Sequence, residues 1–512
     1  MYASLLTRKY LTSKAMPLIA VFAVMLCTGL VLIVWSVMGG FLNTLLGSGR
    51  VLIGDVEIVW PNKGIAYYDD LVKRLEEDKA YVFAAAPVID TFALISLPDE
   101  RVDGVTVKGV DPESYLKVVD FGDGLWWKPI ETPLRRDTDR KDPRLDPQLH
   151  DRMKQALADG LAMRKINPAT GLEVDAVVPG IEIMGFSRRH AAGYYGFGSP
   201  GQATTSNVRM LDGMAIDREL TLRVVPLDSQ GRAVDLVSRT LPVANELRTD
   251  MFEVNKRTIL MPLKTLQSMM KMDEAERIVD GPTDRYARGT SPPKTVIDPA
   301  RVTTILVRAQ PGVSDQDLLD RVEAVYNQFA KAHQGEVPDV YQLKGNGLIR
   351  TWAMKQGQFV AAVEKETSLL LFLFGVISLV VSILILAIFW GMVREKTKDI
   401  GILRAIGAST WGVTWVWLRY GIAIGIVGAV LGLLFAWIVV TNINPIHEWM
   451  GRALNVQVWD PRVYYFAEIP SKVNPVHAAI IAGAGVLFSL LGALVPAMLA
   501  GRMKPVDALR FE

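Results

Sequence analysis

Four long apolar runs without a charged residue constrain this chain more than any other feature. They cover 15–41, 368–393, 420–440 and 476–500. Each exceeds the roughly 20 residues that a helix needs to cross a hydrocarbon core about 30 Å thick. Soluble core helices seldom stay uncharged for so long, so each run reads as a membrane span. The third span is expected to begin earlier, giving 411–440 with Arg419 at its mouth. Arg8, Lys9 and Lys14 precede the first run, as they would in a signal peptide. The run is too long for a signal h-region and no Ala-x-Ala-like site follows Phe41, so it reads as a retained anchor.

Basic residues in the short segments orient the spans. Arg8, Lys9 and Lys14 lie in segment 1–14; Arg394, Lys396, Lys398 and Arg404 in 394–410; Arg502, Lys504 and Arg510 in 501–512. With four spans these segments share one side, expected to be the cytoplasm. The longer loop 441–475 carries only Arg452, Arg462 and Lys472. Segment 42–367 then lies outside. The expected fold is an α-helical membrane protein with four transmembrane helices and a large extracytoplasmic α/β (α+β) domain between the first two.

Composition agrees. Half the residues are hydrophobic and 21% are charged, as expected when a soluble domain dilutes membrane spans. A net charge of +2 leaves no electrostatic footprint for nucleic acid. The single cysteine, Cys27, sits inside the first span, so no internal disulfide can hold the outside domain. Val24-Met-Leu-Cys27 also lacks the small residue expected before a lipidation site.

Within 42–367, Val51–Trp60 alternates apolar and polar residues like a half-buried strand. Val88–Leu97, Val102–Val110, Leu220–Val225, Ile259–Pro262 and Thr303–Arg308 read as further strands. Tyr68–Asp78, Leu263–Met272 and Asp315–Gln334 read as helices. Alternating elements argue for small βαβ-like units, and the length allows two subdomains. Residues 130–152, 187–207 and 281–299 are rich in turn formers and read as loops. Solvated decoration explains them; contact of Tyr194, Tyr195 and Phe197 with a partner or substrate is the alternative.

Signals for chemistry are absent. There is no G-x-x-x-x-G-K-[ST] and no H-E-x-x-H, and one cysteine cannot make a metal-binding pair. His150, His190, His333, His447 and His477 are scattered and read as surface or rim residues. Paired carboxylates such as Asp69-Asp70 are the one acid–base candidate. The spans lack the ionisable residues that mark an ion path, which argues against a secondary transporter.

Two patterns remain. Between the second and third spans, Ile400, Leu403 and Ile406 recur every three residues, as on one side of a helix. Lys396, Lys398 and Arg404 are left to face water or headgroups, and Gly401 and Gly407 permit close approach. This reads as a docking helix, or as an ordinary interfacial turn. In the third span, Gly421…Gly425 and Gly428…Gly432 have small-xxx-small spacing, and Gly485 and Gly492 lie in the fourth. Packing within one chain and a dimer seam both explain them. Pro496 should kink or end the fourth helix.

Glu395-Lys-Thr-Lys-Asp-Ile-Gly-Ile-Leu-Arg-Ala-Ile-Gly-Ala-Ser409 resembles the signature of FtsX-like ABC transporter permeases. The tail Met503–Glu512 and the order of one span, an outside domain and three spans are also similar. Weaker likenesses point to the lipoprotein-releasing LolC/LolE type, with its MacB-like periplasmic domain. They fall at Arg8–Leu11, Val37–Phe41, Gly109–Glu113, Val178–Ile181, Met251–Val254, Met261–Gln267, Trp352, Phe359–Lys365 and Tyr464–Pro470. The resemblance implies a coupling helix built from Glu395, Lys396, Asp399, Ile400, Gly401, Leu403, Arg404, Ala405, Ile406, Gly407 and Ala408. It implies a bacterial inner-membrane location and a dimer with a second permease copy or paralogue. A separate ABC ATPase dimer would hold ATP and Mg, this chain would bind no cofactor and have no catalytic residue, and a lipoprotein and periplasmic carrier would be further partners. Leu42, Leu45, Leu46 and Leu369–Phe372 would line an acyl-chain path, or simply face lipid. An exporter of MacB type and an FtsX-like regulator of wall hydrolases are the alternatives, with a membrane-anchored enzyme as a third.

Overall fold

The computed structural model describes residues 15–48, 52–97, 102–131, 143–189, 195–197, 214–226, 232, 235–279, 294–454 and 469–509, with gaps at 62, 168–169, 186, 250, 346 and 356. The likenesses at 8–11 and 464–468, the residues 510–512 and Tyr194 lie outside this description. The described residues gather into two compact units: 15–45, 358–454 and 469–509 form one, and 46–357 the other.

The first unit holds four helices long and apolar enough to span a membrane: Met16–Phe41, Thr367–Glu395, Thr410–Thr441 and Pro475–Arg502. Their ends follow local chemistry. The Ser409 side chain accepts from the Gly412 N–H at 3.0 Å and starts the third helix. Asn474 caps the fourth at 2.9 Å, ahead of Pro475. Pro496 does not end that helix, which continues to Arg502; spanning helices tolerate proline where neighbours satisfy the freed backbone. Loop 441–475 contains a further helix, Ile443–Leu454, and Asn444 accepts from the Ile469 N–H at 3.0 Å.

The second unit is built on a nine-stranded sheet. Its strands are β1 (Val56–Val59), β2 (Val82–Ser96), β3 (Val102–Val110), β4 (Val178–Pro179), β5 (Glu219–Val224), β6 (Val237–Pro242), β7 (Thr258–Pro262), β8 (Thr304–Ala309) and β9 (Ile349–Thr351). The order is β9-β1-β8-β2-β3-β7-β4, with β5 and β6 leaving as a ribbon from β2. β2 is the pivot: β8 pairs with its first half, β5 with its last residues, and β3 along the other edge. At the step between β8 and β5, the Asp90 N–H donates to Thr303 Oγ1 at 2.7 Å.

The expected βαβ-like units are not what forms. Only β3 and β7 run parallel, and the other pairs are antiparallel. Few residues separate β2 from β3, which forces a hairpin, whereas the long return from β3 to β7 leaves room for a parallel crossover. Successive side chains of a strand point to opposite faces, so two cores form. Ile58, Ile89, Val107, Ile259, Met261, Ile305 and Val307 share one core with residues of the helices Tyr68–Glu77, Leu263–Met270 and Asp315–Ala332. Ala86, Val88, Val110, Leu260 and Leu306 join the other, under Tyr115, Phe121 and Leu125.

Two polar devices secure this unit. Glu57 on β1 is buried and accepts from Arg350 Nε at 2.7 Å and Lys355 Nζ at 2.9 Å. Arg144 stacks 3.5 Å over the Trp126 ring. The described parts of the three expected loops are therefore not plain loops. Residues 143–149 form short turns leading to the helix His150–Ala162. Ser187–Arg189 pairs with Tyr195–Phe197, and Lys294–Asp298 with Ala275–Val279.

Candidate functional site

A helix of nine residues, Thr397–Ala405, bridges the second and third spans. The second span ends because Thr397 turns its hydroxyl back onto the Arg394 carbonyl at 2.8 Å. The far end closes on Gly407, whose φ of 100° only glycine adopts without strain. The Ala408 N–H reaches the Leu403 carbonyl at 3.0 Å and the Gly407 N–H the Arg404 carbonyl at 3.2 Å, the pair of bonds that defines a Schellman stop. Arg404 adds a bond to the Ala408 carbonyl at 2.8 Å. Lys396 and Asp399 make an exposed pair at 2.9 Å, which adds little. The bridge is thus a short helix with hydrogen-bonded ends.

Its apolar residues divide differently from the expected stripe. Ile400 is only 2% exposed, in a cluster with Val393, Val413 and Ala500, and Gly401 is buried beside it. Leu403 is 44% exposed, Ile406 76% and Ile402 52%. A spacing of three falls short of the 3.6-residue turn and drifts about 60° per step, so Ile400 and Ile406 cannot share a face. The outward face is Ile402, Leu403 and Ile406, with Lys398, Asp399, Ala405 and Gly407 also exposed. Ile400 and Gly401 seat the helix on its own chain. A second short helix, Pro505–Leu509, packs against the bridge and buries Ala508.

The four glycines of the two small-xxx-small pairs, Gly421, Gly425, Gly428 and Gly432, all meet other spans of the same chain. A Cβ on Gly421 would lie 2.6 Å from Ala493 Cβ, and one on Gly425 3.0 Å from Val486 Cα, both in the fourth span. On the opposite side, a Cβ on Gly428 would lie 2.6 Å from Val24 Cβ and one on Gly432 2.8 Å from the Met25 carbonyl, in the first span. Ser489 donates to the Gly421 carbonyl at 2.9 Å across the first contact. These positions are occupied by packing within the chain. Gly485 sits against Thr28, and Gly492 against the Ser382 carbonyl.

Of the expected acyl-chain lining, Leu369, Leu371 and Phe372 are exposed along the second span; the side chains of Leu42, Leu45, Leu46 and Leu370 lie outside the description. Among the described residues, no three His, Cys, Asp or Glu side chains gather as a metal would need. Asp70 is engaged structurally, by Arg74 at 2.9 Å and His333 at 3.0 Å. Burial pushes the Asp69 carboxyl up. The second unit also carries a cleft of about 1260 Å³ over the open half of β2 and β3, with Phe92 and Leu94 exposed in it.

Four helices long and apolar enough to span a membrane, a capped bridging helix with an outward apolar face and a mixed α/β unit are the features of a multi-pass membrane protein. Residues 371–505, which take in most of the second span, the bridge and the last two spans, match the FtsX-like permease C-terminal family. The chain is similar to the lipoprotein-releasing system transmembrane protein LolC of Neisseria meningitidis, 22% identical over 94% of this chain and 90% of that one. It is 26% identical to the LolC of Xylella fastidiosa over 33% of this chain, spanning about two fifths (41%) of that protein. It is 25% identical to the LolE of Haemophilus influenzae over 25% of this chain and 30% of the other.

Proposed function

We propose that this chain is the permease subunit of an ABC transporter that releases lipoproteins from the bacterial inner membrane, driven by ATP and Mg bound on a separate ATPase dimer. The observation that carries the reading is the outward face of Ile402, Leu403 and Ile406 on a helix with closed ends, within the segment that matches the permease family. Apolar side chains left in water at a helix with this much backbone order fit a protein partner. The names of the similar proteins, one of them matched over nearly the whole chain, support lipoproteins as cargo.

In this reading residues 46–357 lie in the periplasm and the bridge and tail lie in the cytoplasm. A second copy or a paralogue completes the dimer. Closure of the ATPases pushes the bridging helix. The helix Gly357–Glu395 runs 39 residues, about 58 Å at 1.5 Å per residue, and no proline interrupts it, so it can pass the push on as a lever. Energy is needed because several acyl chains anchor a protein far more firmly than one. The test is mild-detergent purification of a tagged chain from its host, with mass spectrometry of what accompanies it. A separate P-loop ATPase together with acylated lipoproteins is expected. Recovery of no ATPase, even after crosslinking at Lys398, would contradict the reading.

A further inference from the structure

Where the second and fourth spans end on the basic side, they border an open cavity of about 310 Å³. Trp390 and Val393 of the second span form one wall, and Pro496 and Leu499 of the fourth span another. Met503 and Ala508 line it from the tail, and Thr397, the first residue of the bridging helix, completes the lining. The walls offer almost nothing to water. The Thr397 hydroxyl is already committed to the Val393 and Arg394 carbonyls at 3.2 and 2.8 Å. A water molecule would need two to four polar partners there.

Among the described residues, the one charged group of the lining is Arg394, which is exposed. Arg502 and Lys504, also exposed, flank Met503, and among the described residues no carboxylate lines the cavity. The site is therefore apolar within and cationic at its edge. A free anion would satisfy Arg394 and leave the apolar walls bare; an apolar molecule would do the reverse. A guanidinium pairs with a phosphate through two parallel hydrogen bonds, and basic pockets between spans on the cytoplasmic side suit anionic headgroups.

We propose that this cavity binds one anionic phospholipid, with an acyl chain against Trp390, Pro496 and Leu499 and its phosphate on Arg394. The lipid would touch Thr397 and Ala508 as well, and so form part of the seat of the bridging helix. The proposal stands whether or not the chain drives lipoprotein release.

Trp390 supplies the reporter. The full chain is placed in bilayer discs of phosphatidylcholine containing a small fraction of brominated-chain phosphatidylglycerol or of brominated phosphatidylcholine. Quenching of Trp390 is the difference between the parent chain and Trp390→Phe. Brominated phosphatidylglycerol is expected to quench Trp390 about fivefold more effectively at equal mole fraction, the effect of one basic side chain at an anionic surface. Arg394→Gln should remove that preference and keep the phosphatidylcholine signal. Leu499→Phe, which fills the cavity without altering charge, should weaken quenching by both lipids. Equal quenching by the two lipids in the parent chain would overturn the proposal, and so would a preference that survives Arg394→Gln.

Discussion

The two units of this molecule use apolar residues in opposite ways. In the sheet unit apolar side chains mostly point inward: Ile58, Val107 and Ile305 are fully buried, and Phe92, at the cleft, is the clearest exception. In the membrane unit it points either way: Phe372 is 75% exposed in the second span while Phe389 of the same helix is buried. Water sorts side chains in the first case, and lipid, being as apolar as leucine, does not sort them in the second. What identifies the inside of the membrane unit is small size. Gly421, Gly425, Gly428 and Gly432 lie where helices meet.

The contrast predicts where each unit breaks. The largest effect is expected from Gly432→Leu, which would drive a side chain into the Met25 carbonyl and Thr28. Overpacking of this kind should cost about 3 kcal/mol or more and lower the melting temperature of the detergent-solubilised chain. Val430→Leu, on the exposed side of the same helix, should change it by less than about 0.5 kcal/mol. Next is Glu57→Ala, which leaves Arg350 and Lys355 facing an empty site in the sheet unit. Removing one partner of a buried pair costs about 3–5 kcal/mol; both cations are about a third exposed (31% and 30%), so about 2 kcal/mol is expected in chemical denaturation.

A cap gives a smaller loss. Ser314 accepts from the Asp317 N–H at 3.2 Å at the start of Asp315–Ala332, and Ser314→Ala should cost about 1 kcal/mol, read as faster amide exchange in the first turn. The smallest effect is a pH slope. Burial alone would raise the Asp70 carboxyl, but the hydrogen bonds from His333 and Arg74 outweigh it and hold it below its usual value. A depressed folded value stabilises above the unfolded value of about 3.9, and that contribution is lost as pH falls through the folded one. Below about pH 4 the parent chain should therefore lose melting temperature more steeply than Asp70→Asn.

The same contrast explains what could be read in advance. The spans were legible because length and lack of charge suffice to define them. Strand Val102–Val110 and helix Tyr68–Glu77 were legible because periodicity against water is local. Sheet direction was not, because β8 and β2 pair across more than two hundred residues of sequence. The start of β2 was hidden by the Ala84–Ala86 run and Pro87, which break the alternation. At the bridging helix the apolar residues were legible and their sides were not. Ile400 and Ile406 look alike in sequence; only the helix angle and the Val413–Ala500 contact assign one inward and one outward.

The central claim is that Ile402, Leu403 and Ile406 form the surface on which a separate ATPase sits. It is tested most directly by quantifying the ATPase that copurifies with tagged Ile406→Asp and with Ile400→Ala. The account predicts that Ile406→Asp keeps the parent melting temperature and loses the ATPase at least about tenfold, as a desolvated interface anchor would. Ile400→Ala should instead lose melting temperature and, in its folded fraction, keep the ATPase. Full ATPase recovery with Ile406→Asp, alongside loss with a stably folded Ile400→Ala, would contradict it.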